Sequence, residues 1–235
     1  GPPGADAPFH DAIGMATSED GINWQKHGDG PVFAAQEPWE RVCCDASCEC
    51  VWGGVLEPSV LYDAIPGTYH LWYAAFGQIG SLATFRLGHA VSQDGVSWER
   101  SPQPTLDVGL PGAWDGYWVS HVDVVADRCW GYHLFYHGSG AWSEEVCASD
   151  PAGCVGYTPG AIGYAFSADG ATWTKHPTPL IEPLQGAWDG FFVGGPDALL
   201  REGTVELFYF GNRDLAAANA FHSQIGQVPS VCAGQ

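Results

Sequence analysis

Apolar and polar residues alternate with a period of two along much of this chain. In Ile162-Gly-Tyr-Ala-Phe-Ser167 and Thr172-Trp-Thr-Lys-His176, apolar or aromatic residues alternate with small or polar ones. That is the pattern of half-buried β-strands. Between the two runs stand Asp169 and Gly170, a pair suited to φ > 0, which predicts a tight hairpin. A second hairpin is predicted where Val55-Leu-Glu-Pro-Ser-Val-Leu61 turns through Asp63-Ala-Ile-Pro-Gly67 into Thr68-Tyr-His-Leu-Trp-Tyr73. No stretch of useful length carries the 3.6-residue period of a helix.

The pattern recurs. Ser18-Glu-Asp-Gly-Ile-Asn-Trp24, Ser92-Gln-Asp-Gly-Val-Ser-Trp98 and Ser167-Ala-Asp-Gly-Ala-Thr-Trp173 are spaced 74 and 75 residues apart. Ile13-Gly14, Leu87-Gly88, Ile162-Gly163 and Ile225-Gly226 precede the turns, and Pro31-Val32, Pro104-Thr105-Leu106 and Pro179-Leu180 follow them. Then come Trp39-Glu40, Trp114-Asp115 and Trp188-Asp189, and Leu71-Trp-Tyr73, Leu134-Phe-Tyr136 and Leu207-Phe-Tyr209 close the units. Such self-similarity marks stacked supersecondary units. Two hairpins per unit make a four-stranded antiparallel blade, and blades arranged radially make an all-β propeller. A β-sandwich has no reason to repeat every four strands. The chain is expected to be a single propeller domain over residues 1–235, with about three blades present and both ends falling inside units. The fixed place of Trp24, Trp98 and Trp173 marks them as packing residues.

Composition narrows the setting. Charged residues are only 15% of the chain, with 32 Gly and 11 Trp, which suits a turn-rich, aromatic-packed β protein. A formal charge of −19 repels nucleic-acid phosphates and anionic membranes. Nucleic acid is therefore excluded as a partner, and no run is long and apolar enough for a membrane span. The eight cysteines gather in loops: Cys43, Cys44, Cys48 and Cys50 in one insert, Cys147 and Cys154 in another, with Cys129 and Cys232 apart. Disulfides in an oxidising compartment, extracellular or periplasmic, are the expectation, Cys147 with Cys154 first. Adjacent Cys43 and Cys44 do not match the paired spacing of structural zinc, and no metal or cofactor is expected.

Together, the Ser-x-Asp-Gly-x-x-Trp turn, the Pro-Val or Pro-Leu strand, the Trp-acid turn, the acidic-Pro entry strand and the Tyr-x-Leu-Trp-Tyr strand resemble a known family. They are similar to the five-bladed propellers of the arabinanase, levansucrase and invertase superfamily, which includes glycoside hydrolase families 43, 32 and 130. The resemblance implies carboxylates at the starts of innermost strands that cleave glycosidic bonds at the mouth of a central channel, with carbohydrate as partner. Glu57, before Pro58, matches the acidic-Pro entry position, with Glu where family 43 carries Asp. His121 stands at the matching place in the next unit. Gly194-Gly195-Pro196 stands where active members carry an acid, and Gly194 cannot donate a proton. Asp123 and Asp197 take the place of Ser59 and are candidates to complete a carboxylate set with Glu57, the alternative being backbone bonds at the blade edge.

Aromatic faces stack on the apolar faces of sugars, which makes Trp52, Phe76, Trp118, Trp142 and Phe192, on or beside the long loops, candidate sugar platforms. Arg86, Asn212 and Arg213 are candidate ligands for hydroxyls or carboxylates. The leading expectation is glycosidic-bond hydrolysis. A catalytically silent propeller that binds glycan or protein is the alternative.

Overall fold

In the computed structural model of the protein, which describes residues 10–43, 51–80, 82–127, 131–140, 160–201, 203–213 and 224–231, the three heptapeptides build one and the same turn. The hydroxyl of Ser18, Ser92 or Ser167 accepts the backbone N–H groups two and three residues on, and donates to the aspartate at 2.8 to 3.0 Å. The aspartate in turn accepts the next two N–H groups, those of Ile22 and Asn23, Val96 and Ser97, or Ala171 and Thr172. These N–H donors, Thr172 foremost, hold Asp169 down to a pKa of about 2, and Asp20 and Asp94 lie lower still for the same reason.

The turn differs from the one its sequence predicts. Only the glycine of each Asp-Gly pair has positive φ, at 75°, 72° and 74°. The loop is not a tight turn on that pair but a seven-residue one between the paired residues Thr17 and Gln25, Val91 and Glu99, or Phe166 and Thr174, with aspartate serving through its side chain.

The chain divides into two compact units, residues 1–105 and 106–235. In the first, β1 (His10–Ile13), β2 (Ala16–Thr17), β3 (Gln25–Lys26) and β4 (Phe33–Ala34) lead to a 3-10 turn at Pro38–Glu40 and to β5 (Arg41–Cys43). After them β6 (Val51–Asp63), β7 (Thr68–Ile79), β8 (Leu82–Ser92) and β9 (Glu99–Arg100) pair antiparallel in chain order and form a four-stranded blade. The sheet also takes in β1, parallel to β6, and β4 beyond it. That parallel contact depends on glycine: a Cβ at Gly54, whose φ is 144°, would fall 2.3 Å from the carbonyl oxygen of Asp11.

The second unit holds a four-stranded blade, β10 (Trp118–Asp127), β11 (Gly131–Ser139), β12 (Ala161–Ser167) and β13 (Thr174–Lys175). A three-stranded one follows, β14 (Phe192–Arg201), β15 (Thr204–Asn212) and β16 (Gln224–Val231).

Each blade is pinned by the same buried device. The hydroxyls of Tyr73, Tyr136 and Tyr209 donate to Glu40, Asp115 and Asp189 at 2.7, 3.0 and 3.0 Å, and Trp39, Trp114 and Trp188 stack on those tyrosines. Arg100 and Lys175 neutralise the first two carboxylates at 2.8 and 2.7 Å. Glu40 is wholly buried and fully satisfied, since it also accepts the N–H groups of Gln36 and Glu37. Burial first and the neighbouring carboxylate second raise all three phenols, Tyr209 to about 12.

Of the three repeated tryptophans, Trp98 and Trp173 are half-buried, as packing residues should be. Trp24 departs from them: it is 62% exposed, with its Nε1 donating to the carbonyl of Gly21.

Candidate active site at the strand bulges

The first strand of every blade breaks register at the same point. Between Leu56 and Ser59, between Ser120 and Asp123, and between Gly194 and Asp197, two residues oppose one on the partner strand. This is a β-bulge, a feature that re-aims side chains and recurs beside active sites. Its first residue lies in the left-handed region each time: Glu57 at φ 54°, His121 at 46° and Gly195 at 56°. Glycine takes that conformation freely. For a residue with a Cβ it costs about 1–2 kcal/mol, and among the described residues Glu57 and His121 are the non-glycine ones at positive φ.

The bulge carries a consequence for sequence reasoning. It interrupts the two-residue alternation, so Ser59, Asp123 and Asp197 occupy equivalent places, opposite Trp72, Phe135 and Phe208, without thereby sharing a direction with the bulge residue. Asp123 accepts the backbone N–H of Ala198 at 2.6 Å and so ties β10 to β14. Asp197 is exposed and Glu57 half-exposed.

Around His121 the second unit gathers an aromatic cluster. The His121 ring lies 5.7 Å from that of His137 and 6.2 Å from that of Phe210. His137 packs edge-on against Phe192 at 5.0 Å and Trp118 at 6.3 Å, and Phe192 stacks on Phe210 at 5.6 Å. Burial pushes His137 down to a pKa of about 3, with the His121 ring a lesser cause. Asn212 pairs with Phe192 across β15 and β14, and the exposed Arg213 follows it. The candidates His121, Trp118, Phe192 and Asn212 thus share one end of this unit, and Arg213 adjoins them.

Arg86, in the first unit, is buried. Its Nη2 donates to the carbonyls of Trp39 and Gln78 at 3.1 and 3.0 Å, and its guanidinium lies 5.5 Å over the Trp39 ring. Phe76 is half-buried against Phe85. The side chain of Trp52, the whole of Trp142 and the proposed Cys147 to Cys154 bridge lie outside the described residues.

Ser120, His137 and Phe210 belong to the cluster and were not read from the sequence. The signal was present: after the repeated tyrosine the three units read Tyr73-Ala-Ala, Tyr136-His-Gly and Tyr209-Phe-Gly, and only one of them places a polar side chain there.

No protein-family model matches the chain. A 1,2-beta-oligomannan phosphorylase of Thermoanaerobacter sp. (strain X514) is 25% identical over 234 residues, covering 80% of this chain and 72% of that protein. A solved structure of a glycoside hydrolase superposes with a TM-score of 0.62 at 18% identity, covering 92% of this chain and 61% of its own. The β-1,2-mannobiose phosphorylase from Listeria innocua, in complex with β-1,2-mannobiose, gives 0.59 at 18% identity, over 93% of this chain and 50% of its own. The chain therefore has the β-propeller fold of glycoside hydrolases and mannoside phosphorylases, and it spans half to about three fifths of those two structures.

Proposed function

We propose that the protein is carbohydrate-active and that it cleaves a glycosidic bond in a mannoside-like substrate, with Glu57 as the general acid or base and the His121 cluster as a sugar contact. The observation that carries this reading is the backbone. Two blades hold a functional side chain in a left-handed conformation where the third uses glycine, and strain of that kind persists at sites where a side chain must be aimed. Trp118, beside His121, offers a half-exposed ring for a sugar face, a contact suited to aromatic side chains.

Cleavage calls for a second carboxylate. Asp197, exposed at the end of its bulge, is the candidate, because Asp123 is engaged with Ala198.

Water rather than phosphate is the proposed acceptor. Phosphate recognition draws on Arg and Lys, and this chain has eight. Arg41, Arg86, Arg100, Lys175 and Arg201 are all bonded within the fold, which leaves the exposed Arg213 as the described cation that adjoins the His121 cluster.

The test is incubation with β-1,2-mannobiose and longer β-1,2-mannosides, with and without inorganic phosphate, beside Glu57→Gln. Free mannose from the wild type and none from the variant is expected. Mannose 1-phosphate formed only with phosphate would replace hydrolysis by phosphorolysis. The alternative, a silent glycan-binding propeller, is favoured by Gly194-Gly195 at the third bulge and by the engagement of Asp123. Retention of mannosides by wild type and Glu57→Gln alike, without cleavage, would establish it.

We also propose an extracytoplasmic setting, supported by the loop-clustered cysteines. Alkylation under non-reducing conditions followed by peptide mass analysis should show Cys147 joined to Cys154, and eight free thiols would defeat the proposal.

A further inference from the structure

The blade that carries His121 differs from its neighbours immediately behind the bulge. In the first blade Leu56 pairs with Ala74, and in the third Gly194 pairs with Phe210, whereas here Ser120 pairs with His137. Both are buried, at 4% and 3% exposure. Placing a hydroxyl and an imidazole where apolar residues serve the same scaffold is costly unless they are hydrogen-bonded. Ser120 Oγ lies 3.1 Å from Nδ1 of His121 and 3.5 Å from Nδ1 of His137. One hydroxyl thus bridges two imidazoles through the same nitrogen of each ring.

A serine hydroxyl has one proton and two lone pairs, so it can donate to no more than one of the two rings. The direction is decided on the far side of His137. Nε2 of that residue has no partner among the described residues, and a Cβ built on Gly160 would fall 2.1 Å from it, so the nitrogen abuts the Gly160 backbone. A buried N–H without an acceptor is rarer in folded proteins than an under-satisfied lone pair, and a lone pair facing an α C–H is a weak favourable contact. Burial also keeps His137 neutral, with one proton to place. The proton therefore sits on Nδ1 and is donated to Ser120 Oγ. Ser120 then has its own proton to give, and donating it to Nδ1 of His121, 3.1 Å away, puts the His121 proton on Nε2.

We propose that Ser120 and His137 are positioning residues that lock His121 as the Nε2–H tautomer, so that it meets a sugar oxygen as a hydrogen-bond donor and not as a base. Naming the ligand as a sugar rests on the function proposed above; the tautomers are a property of the protein alone.

Long-range proton–nitrogen NMR on the full chain labelled with ¹⁵N-histidine reads both rings directly, with His121→Gln and His137→Phe for assignment. The expected pattern is Nδ1–H on His137, the less common form of imidazole, and Nε2–H on His121. The reverse pattern, Nε2–H on His137 with Nδ1–H on His121, would overturn the proposal. Ser120→Thr keeps a hydroxyl and should preserve the pattern. Ser120→Ala should abolish it and weaken mannoside binding about tenfold, the worth of one hydrogen bond. Tautomers unchanged in Ser120→Ala would equally defeat the relay. A protein that binds no mannoside but shows the expected tautomers would remove the function and leave the relay standing.

Discussion

The blade β6 to β9 and the blade β10 to β13 are built alike and furnished differently. Each has the Ser-x-Asp-Gly turn, a tyrosine bonded to a buried acid, a cation on its last strand and a bulge whose first residue is left-handed. At that bulge one blade presents a carboxylate backed by Leu56 and Ala74, and the other an imidazole backed by Ser120 and His137. What repeats holds the blade together. Among what differs are the bulge residue and the pair behind it, and the proposed chemistry is placed there for that reason.

The largest effect expected from breaking this comparison is chemical. Glu57→Gln should lower mannoside turnover about 10² to 10⁴-fold, while His121→Gln should act mainly on KM. Equal losses in kcat for both would mean that the two bulges do not divide the work between catalysis and binding.

Next in size is the buried ion pair. Arg100→Met leaves Glu40 buried without its cation and should cost about 3–5 kcal/mol. Lys175→Met should cost about 1–2 kcal/mol, because that lysine side chain is 24% exposed against 8% for Arg100, so solvent reaches the cation of this pair and weakens it. Urea unfolding measures both, and equal costs would show that burial does not set the difference.

A smaller effect separates the blades by pH. His137 titrates at about 3 in the folded protein and near 6.5 when unfolded. Above about pH 6.5 both states are neutral and its contribution is fully present. Below that the unfolded state takes up a proton that the fold refuses, so stability falls by about 1.4 kcal/mol per pH unit down to the folded value. His137→Phe should remove this share of the acid slope in unfolding experiments at pH 5 to 7. A slope unchanged in the variant would place the acid sensitivity elsewhere.

The smallest effect concerns strain. His121→Gly should relieve the left-handed cost and, after the entropy lost to glycine, stabilise the protein by up to about 1 kcal/mol. Gly195→Ala should destabilise it, since a Cβ there would come 2.3 Å from the Phe210 ring. A destabilised His121→Gly variant would show that the contacts of His121 with its cluster outweigh its backbone strain.

The repeat, the four-stranded blade and the equivalence of Glu57, His121 and Gly195 were all legible in the residues, because alternation and turn chemistry are local. The length of the Asp-Gly loop was not. Local propensity suggested positive φ for the pair, but a serine and an aspartate that capture four N–H groups stabilise a longer loop. Arg86 was a candidate ligand in the sequence, yet it lies within β8, where the carbonyls of Gln78 and of Trp39, the latter distant in sequence, hold it. Asp123 and Asp197 are twins in the sequence, and only the approach of Ala198 to one of them tells them apart.

By itself, then, the sequence determined that this is a propeller and where each blade begins, since period two and the turn residues act within a few residues of one another. The tertiary structure decided which side chains are spent on the fold and which are left for chemistry. A bulge reverses the local alternation without a sequence mark that stands alone, and the partner of a buried polar atom is chosen by whichever strand packs against it.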